Sequence, residues 1–256
     1  MSQKLLKKLR DTKYRKESGL FLVEGKKNIL ELLSSNFEVA SIYTTLESLE
    51  SFDTEADTYT LREKCVRPDV ILLSQDRLEE SGTFKTNNAG IAIAKQKQSI
   101  SREILLEEAL RGYVLILDDV RDPGNLGTIM RTADWFGISH IITSETSTDC
   151  YNPKTIAASM GSFTRITVTA LPLIELLQNA KNLNVPTMGS FLDGRNIFET
   201  KSPEHGFIIM GSESHGIGET LISFIDDRVT IPRYGHAESL NVAIATAVIL
   251  GALRHP

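Results

Sequence analysis

Residues 113–137 read YVLILDDVRDPGNLGTIMRTADWFG, and this stretch decides the fold of the C-terminal part of the chain. Its opening apolar run does not alternate with polar residues, which indicates a strand covered on both faces. The helix predicted over 124–136 places Leu126, Met130 and Ala133 on one face, with Arg131 on the neighbouring stripe. A buried strand that leads through a short turn into a helix is the repeating unit of a parallel α/β sheet.

The same alternation of buried strands and helices continues to the end of the chain. The predicted strands are 113–117, 139–143, 166–168, 185–188, 207–210 and 228–231, and the predicted helices are 124–136, 153–160, 173–183, 217–224 and 239–253. In open parallel sheets with helices on both faces, ligands bind beyond the carboxyl ends of the strands. The loops after Leu117, Met188, Met210 and Ile231 are therefore expected to carry the chemistry.

The first hundred residues predict a smaller α/β unit. Its expected helices are 2–10, 26–33 and a short one after Gln75, and its expected strands are 20–23, 39–43 and 90–94, with a further segment of unassigned type near 69–73. The polar stretch 95–101 is the best linker candidate, because it separates two differently patterned parts of the chain. The predicted domains are therefore 1–100 and 101–256.

Composition excludes several classes of protein. With 256 residues, 41% of them hydrophobic and 24% charged, the chain has enough apolar surface for a core. The longest apolar runs are about four residues, whereas roughly 20 are needed to span a bilayer. The basic N-terminus lacks the apolar stretch of a signal peptide, so the expected location is the cytoplasm. Cys65 and Cys150 form no CxxC pattern, so neither a disulfide framework nor a metal site is expected.

The charges are unevenly distributed along the chain. The net charge is −5, but residues 1–30 hold nine basic and three acidic side chains, which leaves −11 for the remainder. A basic N-terminal arm on an acidic body fits contact with a phosphate backbone, while a solvated amphipathic helix is the alternative interpretation. The candidate contacts are Lys7, Lys8, Arg10, Lys13, Arg15 and Lys16.

A second informative segment, GSESHGIG at 211–218, follows the buried strand 207–210. Its glycines allow a ligand to approach the backbone closely. Glu213 at the start of a helix is either a functional carboxylate or a residue that only complements the helix dipole. His215 is better explained as a solvent-facing turn histidine than as a base, because no partner for it is evident.

A third segment, 231–253, ends in a helix that is apolar nearly all the way round. Such a helix must be covered on every side, and a partner subunit would cover the face that the sheet leaves open. Ser239 is a plausible helix N-cap, as Asn125 is for the helix 124–136. Asn241 lies in the first turn, where an unpartnered amide costs about 1–3 kcal/mol, so it needs a ligand or a catalytic side chain as partner.

Together the three segments resemble the SpoU (TrmH) family of RNA ribose 2′-O-methyltransferases. The family's D-P-x-N-L-G-x-x-x-R pattern matches 122–131, its G-x-E-x-x-G pattern matches 211–216, and its I-P-x-x-G and S-L-N-V patterns match 231–235 and 239–242. Ser214 departs from the glycine that many relatives carry. The first hundred residues, with Val23-Glu24-Gly25, are similar to the ribosomal-protein-L30e-like substrate-binding domain of this family.

This resemblance implies a fold, a reaction and a site. The C-terminal sheet would carry the SPOUT-type trefoil knot, and the protein would act as a homodimer through this domain. The cofactor would be S-adenosylmethionine and the substrate structured RNA, with ribosomal RNA favoured over transfer RNA. The implied cofactor contacts are Gly189, Gly211, Gly216, Ile231 and Leu240. The implied catalytic set is Asn125, Arg131, Glu213, Ser239 and Asn241, and the six basic residues of the N-terminal arm would bind RNA.

The role of Arg131 is open between two possibilities. The family assigns it to the 2′-hydroxyl and the adjacent phosphate, with the arginine reaching across the dimer interface. An arginine side chain normally stays charged, which makes it a difficult base. Stabilisation of the developing alkoxide is physically easier.

Two other functions compete with this interpretation. A non-catalytic RNA-binding or ribosome-assembly protein could share the scaffold, although the complete polar set speaks against a decayed site. A nucleotide-dependent oxidoreductase or hydrolase would need a glycine-rich phosphate loop after the first strand of the second domain. The segment Asp122-Pro123-Gly124-Asn125 is not such a loop.

Overall fold

The computed structural model describes residues 3–49, 69–84, 89–199 and 201–254. Cys65 lies outside these residues. The chain forms two compact units, one of Met1–Gln98 with Asp149–Arg165 and the other of Ser99–Thr148 with Ile166–Pro256. The first crossing between them, after Gln98, lies near the expected boundary. Residues 149–165, which the sequence analysis assigns to the second domain, pack instead with the first unit.

The secondary structure follows the predicted order. The elements are α1 (Gln3–Lys8), α2 (Thr12–Ser18), β1 (Leu20–Glu24), α3 (Lys26–Ser34), β2 (Val39–Thr44), β3 (Asp69–Leu72), α4 (Gln75–Ser81), β4 (Gly90–Lys95), α5 (Arg102–Arg111), β5 (Tyr113–Leu117), α6 (Pro123–Trp135), β6 (His140–Thr143), α7 (Pro153–Ser159), β7 (Thr167–Ala170), α8 (Leu173–Asn182), β8 (Thr187–Asn196), β9 (Gly206–Met210), α9 (Glu219–Ile222), β10 (Asp227–Thr230) and α10 (Val242–Arg254). A 3₁₀ turn, Ser162–Thr164, follows α7.

The first unit contains a four-stranded mixed sheet in the order β1-β4-β2-β3. Strand β4 is antiparallel to both of its neighbours, and β2 and β3 are parallel. The later segment joins this unit through aromatic contacts. The Phe21 ring centroid lies 4.6 Å from that of Tyr151 and 6.1 Å from that of Phe163. Edge-on and tilted aromatic pairs of this kind stabilise a core beyond the area that they bury.

The N-terminal helix is shorter than predicted. Helix α1 ends at Lys8, and the Asp11 carboxylate then caps α2 by accepting a hydrogen bond from the Tyr14 amide at 3.0 Å. Leu6 and Leu9 are fully buried, so this region is part of the first unit's core and not a free arm. Four of the predicted RNA contacts are exposed on these helices: Lys7, Lys8, Lys13 and Lys16.

Arg15 is predicted as an RNA contact, and the structure shows that this prediction is wrong. Its side chain has an exposed fraction of 0%, and its Nε and Nη2 atoms donate to Asp149 at 2.9 and 2.7 Å. The remaining donors reach the Leu9 and Arg10 carbonyls and the Thr12 hydroxyl. All five guanidinium N–H groups are thus used inside the protein. Arg15 has no donor left for a phosphate.

Arg10 is also engaged within the first unit. Its Nη2 atom donates to the backbone carbonyls of Ser81, at 2.8 Å, and Gly82, which close the C-terminal end of α4. Cations are favoured at that end of a helix because they satisfy its unpaired carbonyls. Arg10 is exposed but already holds a structural position.

The second unit contains a six-stranded sheet in the order β10-β8-β9-β5-β6-β7, and every pairing in it is parallel. The central strands are buried on both faces, because Val114 and Ile116 pack in one core cluster while Leu115 and Leu117 are equally buried on the opposite side. Helices flank this sheet, which confirms the predicted fold class. The trefoil knot that the resemblance implies stays a prediction.

Two elements of the second unit differ from expectation. The strand expected at 185–188 is ten residues long in the structure, so Gly189 lies within β8 and does not begin a loop. The helix expected over 217–224 is reduced to the four residues of α9.

Helix α10 packs against α6 but is not covered on every side. Ile244 is 54% exposed, and Trp135 near the end of α6 is 85% exposed. Helices α6 and α10 therefore each carry a large apolar side chain that is exposed to solvent. None of the described helices is long and apolar enough to span a membrane.

We expect Arg15→Met to lower the free energy of unfolding by about 3–5 kcal/mol, because it leaves the largely buried Asp149 carboxylate without its partner. Adding Asp149→Asn should recover part of this loss, because it removes the charge and keeps the acceptor for the Tyr151 amide. Urea unfolding followed by circular dichroism measures both variants. The control Lys16→Met changes an exposed neighbour and should cost less than about 0.5 kcal/mol. An equal loss in both Arg15 variants would contradict a charge-driven effect.

Candidate functional site

The candidate site lies where the strand order of the six-stranded sheet reverses. From β5 the chain continues to β6 and β7 on one side, whereas β9, β8 and β10 lie on the other side. Such a switch point leaves a crevice at the carboxyl ends of the two central strands, here β5 and β9. The loops that follow these strands, 118–122 and 211–218, border this crevice, together with the loop after β10.

The loop after β9 is closed by backbone hydrogen bonds. The Ser212 amide donates to the Gly216 carbonyl at 3.1 Å, and the Gly216 amide donates back to Ser212 at 2.9 Å. Gly216 has a φ of +68°, and a Cβ atom on Gly211 would lie 2.0 Å from the Gly216 carbonyl carbon. Both positions therefore require glycine. Ser214 is accommodated because its side chain faces solvent and bonds to the His215 ring.

Two aspartates that the sequence patterns do not predict as site residues follow directly on β5, at the crevice. The Asp118 carboxylate accepts a hydrogen bond from the Gly218 amide at 2.8 Å, which ties the loop after β9 to β5. Asp119 has a φ of +56°, a strained value for a residue other than glycine, and a hydrogen bond from Arg121 lowers the pKa of its carboxyl. The acidic pair directly after a buried strand was the available signal.

Three of the predicted polar residues form one chain of hydrogen bonds. The Asn241 Nδ2 atom donates to the Asn125 Oδ1 atom at 3.0 Å, and the Asn125 Nδ2 atom donates to the Glu213 carboxylate. The Asn241 Oδ1 atom in turn accepts from the Ala243 amide at 2.9 Å. These hydrogen bonds connect the start of α6, the loop after β9 and the start of α10. Asn241 thus has the partner that the sequence analysis required.

These contacts also decide which residues cap the two helices. Asp122, not Asn125, caps α6, because its carboxylate accepts from the Asn125 backbone amide at 2.8 Å. The Asn125 side chain is thereby left for Glu213 and Asn241. At α10 the first backbone amides bond to Asn241, so the predicted capping role of Ser239 is wrong. Ser239 is exposed.

A cavity of about 760 Å³ opens beside this chain of hydrogen bonds. Four of the five predicted cofactor contacts line it: Gly211, Gly216, Ile231 and Leu240. Glu213 and Ser239 from the predicted catalytic set also contribute to its wall. Its size is within the range of about 300–1,000 Å³ that is usual for small-molecule sites.

Gly189 does not belong to the lining of this cavity. It is buried within β8, and a Cβ atom there would lie 2.7 Å from the Phe191 ring and 2.8 Å from the Ile225 side chain. Residues 190–193 line the cavity in its place. Glycine at position 189 therefore fits the packing of Phe191, a wall residue of the cavity, and a larger residue would displace that side chain.

The charged residues of the lining are mostly acidic. Four carboxylates and two guanidinium groups are present: Asp193, Glu213, Glu219, Glu238, Arg228 and Arg233. Arg228 is already used, since it donates to Asp193 at 2.8 Å and lies 4.1 Å from the centroid of the Phe191 ring. A site with this balance attracts a cationic ligand more than a phosphate.

Arg131 is separate from the other predicted catalytic residues. It is exposed, it does not line the cavity, and no hydrogen bond or ion pair of its guanidinium occurs within the described residues. Helix α6 explains this position. Arg131 lies six residues after Asn125, which turns its side chain by about 240° around the helix axis. The two side chains therefore leave α6 in different directions.

His215 and Cys150 have ordinary environments. The His215 ring is exposed and bonds to the Ser214 hydroxyl at 2.8 Å, in agreement with a turn histidine. Cys150 is a free thiol, and burial raises its pKa to about 12, which makes it unreactive at neutral pH. In the described ranges no group of three or more histidine, cysteine or carboxylate side chains is placed to hold a metal ion.

A second and larger cavity, of about 1230 Å³, lies in the same unit. Residues at the amino ends of β5 and β6, Tyr113 and His140, contribute to it. Parallel sheets bind their ligands at the opposite, carboxyl ends of the strands. We therefore assign the functional site to the smaller cavity.

Comparison with known proteins identifies the family of this chain. The model of the SpoU rRNA Methylase family matches residues 112–251, which hold all three loops of the site. The model of the MRM3-like substrate binding domain matches residues 3–89. These two matches cover most of the chain.

Similar proteins align over nearly the whole length. The 23S rRNA (guanosine(2553)-2′-O)-methyltransferase RlmP of Bacillus subtilis is 31% identical over 97% of this chain and 94% of its own. The 23S rRNA (uridine(2479)-2′-O)-methyltransferase of Streptomyces viridochromogenes is 26% identical over 94% of this chain and 84% of its own. A crystal structure of an AdoMet-bound rRNA methyltransferase from Sinorhizobium meliloti superimposes with a TM-score of 0.85 at 26% identity, covering 98% of this chain and 93% of that one. The chain therefore belongs to the SpoU rRNA methylase family.

Proposed function

We propose that this protein transfers the methyl group of S-adenosylmethionine to a ribose 2′-hydroxyl of RNA, and that its substrate is ribosomal RNA. The observation that carries the proposal is the chain of hydrogen bonds from Asn241 through Asn125 to Glu213, at a cavity closed by a glycine loop. The names of the two relatives, both 23S rRNA 2′-O-methyltransferases, favour ribosomal over transfer RNA. Such a substrate fits the cytoplasmic location that the sequence predicts.

The cavity suits S-adenosylmethionine in three respects. Gly211 and Gly216 place no side chain in the cavity, and the side chains of Ile231 and Leu240 offer apolar walls to an adenine ring. The acidic balance of the lining favours a sulfonium cation. It disfavours the pyrophosphate of a dinucleotide, which argues against the oxidoreductase alternative. Bound there, S-adenosylmethionine would supply a methyl group on an electrophilic sulfonium centre.

The side chains of the site would orient the ribose and stabilise its alkoxide. A neutral 2′-hydroxyl is a poor nucleophile, so its deprotonation and alignment must supply much of the rate. Glu213, fixed by Asn125, and the exposed Ser239 are the two members of the predicted catalytic set in the cavity wall, and both can hydrogen-bond to the nucleotide. Arg131 would stabilise the developing negative charge and hold the adjacent phosphate, with the role of base as the alternative.

We propose further that the functional form is a homodimer whose sites are completed by Arg131 of the partner subunit. Within one chain, Arg131 leaves α6 on a different side from Asn125 and does not line the cavity. The exposed side chains of Trp135 and Ile244 supply apolar area for a subunit interface on the same helices. A second copy would therefore both cover this area and bring an arginine to the site.

RNA capture is assigned to the first unit. Lys7, Lys8, Lys13 and Lys16 are exposed on α1 and α2, and they retain the role of phosphate contacts that the basic N-terminus predicts. Arg15 is excluded because all its donors are internal. The match to a substrate binding domain over residues 3–89 supports this assignment.

Transfer of labelled methyl from S-adenosylmethionine to RNA tests the proposed function. The acceptor is total RNA from a strain that lacks the protein, and the product is digested and mapped by mass spectrometry. We expect one 2′-O-methylated nucleotide in the large ribosomal RNA. Label in transfer RNA alone would contradict the proposed substrate. Cofactor binding without transfer to any RNA would favour the non-catalytic scaffold.

Subunit complementation tests the position of Arg131. We expect Arg131→Ala and Glu213→Ala to be inactive as homodimers, with cofactor binding nearly unchanged in Arg131→Ala. A purified heterodimer of the two variants has one intact site if Arg131 acts across the interface, so it should recover about half of the wild-type rate. An inactive heterodimer would place Arg131 in its own subunit's site, and a monomer in sedimentation analysis would overturn the dimer.

Two Asn241 variants test the chain of hydrogen bonds. Asn241→Ala removes the cap of α10 and should lower the free energy of unfolding by about 1 kcal/mol. Asn241→Asp keeps the acceptor for the Ala243 amide but replaces the donor that faces the Asn125 oxygen. We expect its stability to be preserved while the methylation rate falls about tenfold or more.

The matched control for these variants is Asn152→Asp, which alters the cap of α7 in the other unit. It should retain both stability and rate. A wild-type rate in Asn241→Asp would show that the link between Asn241 and Asn125 is not needed for the reaction. Rates are measured with saturating cofactor, so that a change in cofactor affinity does not enter.

A further inference from the structure

The loop after β10 presents an aromatic side chain to solvent at the cavity. Tyr234 has an exposed fraction of 96%, and it lines the same cavity as the glycine loop. We propose that Tyr234 is a stacking platform for the base of the nucleotide whose ribose is methylated. This inference rests on the proposed function and adds how the target nucleotide is held.

The local backbone keeps this ring away from the protein. The Arg233 Nη1 atom donates to the Ala237 carbonyl at 3.4 Å within the same loop. Gly235 follows directly, and a Cβ atom there would have no heavy atom within 4 Å. The space next to the ring is therefore open. An aromatic face with this exposure is accessible to a planar ligand.

Exposure on this scale sets Tyr234 apart from the other tyrosines that the structure describes. Tyr14, Tyr43, Tyr113 and Tyr151 are buried or half-buried. Three of them are desolvated enough that burial raises their pKa: Tyr43, Tyr113 and Tyr151. Packing against the protein accounts for a tyrosine at each of these four positions. It does not explain Tyr234, whose hydrophobic ring gains nothing from the fold.

The geometry of the reaction requires a base close to the cavity mouth. The 2′-hydroxyl must approach the methyl donor to about 3–3.5 Å, and the base is attached to the neighbouring carbon of the same ribose ring. The base must therefore lie against the rim of the cavity. The rim offers apolar surface for it, since Leu192 lines the cavity and is 80% exposed.

A nucleobase is the ligand that best fits this surface. Proteins that bind unpaired RNA stack its bases on aromatic rings and on arginine planes, and Arg233 precedes Tyr234 in the same turn. Stacking needs no particular hydrogen bonds, so it holds a base without dictating its identity. A stacked base must also be unpaired, so the target is expected in a loop or at a splayed position.

Steady-state kinetics of Tyr234 variants test this role. The substrate is the RNA fraction that wild-type protein methylates. We expect Tyr234→Ala to raise the KM for RNA about tenfold or more, while Tyr234→Phe stays within about twofold because it keeps the ring. The Kd for S-adenosylmethionine should be unchanged in both. Phe198→Ala, which removes an exposed aromatic ring that lies outside this cavity, is the matched control and should resemble wild type.

A synthetic RNA fragment that spans the mapped nucleotide, with or without its base, identifies the stacked group. Removing the base should raise the KM of wild-type protein for the fragment by about as much as Tyr234→Ala raises the KM for the intact fragment. The KM of Tyr234→Ala should be the same for both fragments. Three results would overturn the inference: an unchanged KM in Tyr234→Ala, a weaker cofactor Kd in place of the KM effect, or a loss that persists on the abasic fragment. Absence of transfer by wild-type protein to any fraction of total RNA would instead overturn the proposed function.

Discussion

A single amide, the side chain of Asn125, holds the site together because it can donate and accept at once. Its Oδ1 atom accepts from Asn241, and its Nδ2 atom donates to Glu213. Asn241 has no choice of orientation, since its own oxygen is occupied by the first backbone amides of α10. The hydrogen bonds therefore all point one way, from the positive end of a helix dipole to a carboxylate. The start of α6, the loop after β9 and the start of α10 are therefore held together by hydrogen bonds of a single direction.

This arrangement depends on the sheet beneath it. Strands β5 and β9 are adjacent, so the loops after them begin about 5 Å apart although 93 residues separate their ends in sequence. Gly211 and Gly216 then let the second loop close tightly enough to present Glu213. Asp118 anchors the far end of that loop through the Gly218 amide. Sheet order and glycine geometry together determine where the carboxylate lies.

The sequence predicts those features that depend on local pattern. Uninterrupted apolar runs locate the central strands β5 and β9 of the second unit, and the cost of a bare amide predicts that Asn241 has a partner. Features that depend on distant contacts are not predictable in this way. Arg15 reads as a surface cation because its partner Asp149 lies 134 positions away. The packing role of Gly189 depends on Phe191 and Ile225, and no pattern in the sequence reveals it.

The position of Arg131 follows from the same helix that positions Asn125. In α6 each residue turns by about 100°, and Asn125 is directed by its two hydrogen bonds toward the loops after β9 and β10. Six residues later, Arg131 must leave the helix on another side, next to the stripe of Leu126, Met130 and Ala133 that is buried in the core. A change of rotamer cannot bring the Arg131 side chain to the side of the helix that Asn125 occupies. A reaction that needs both side chains at one ribose must therefore take them from two copies of α6.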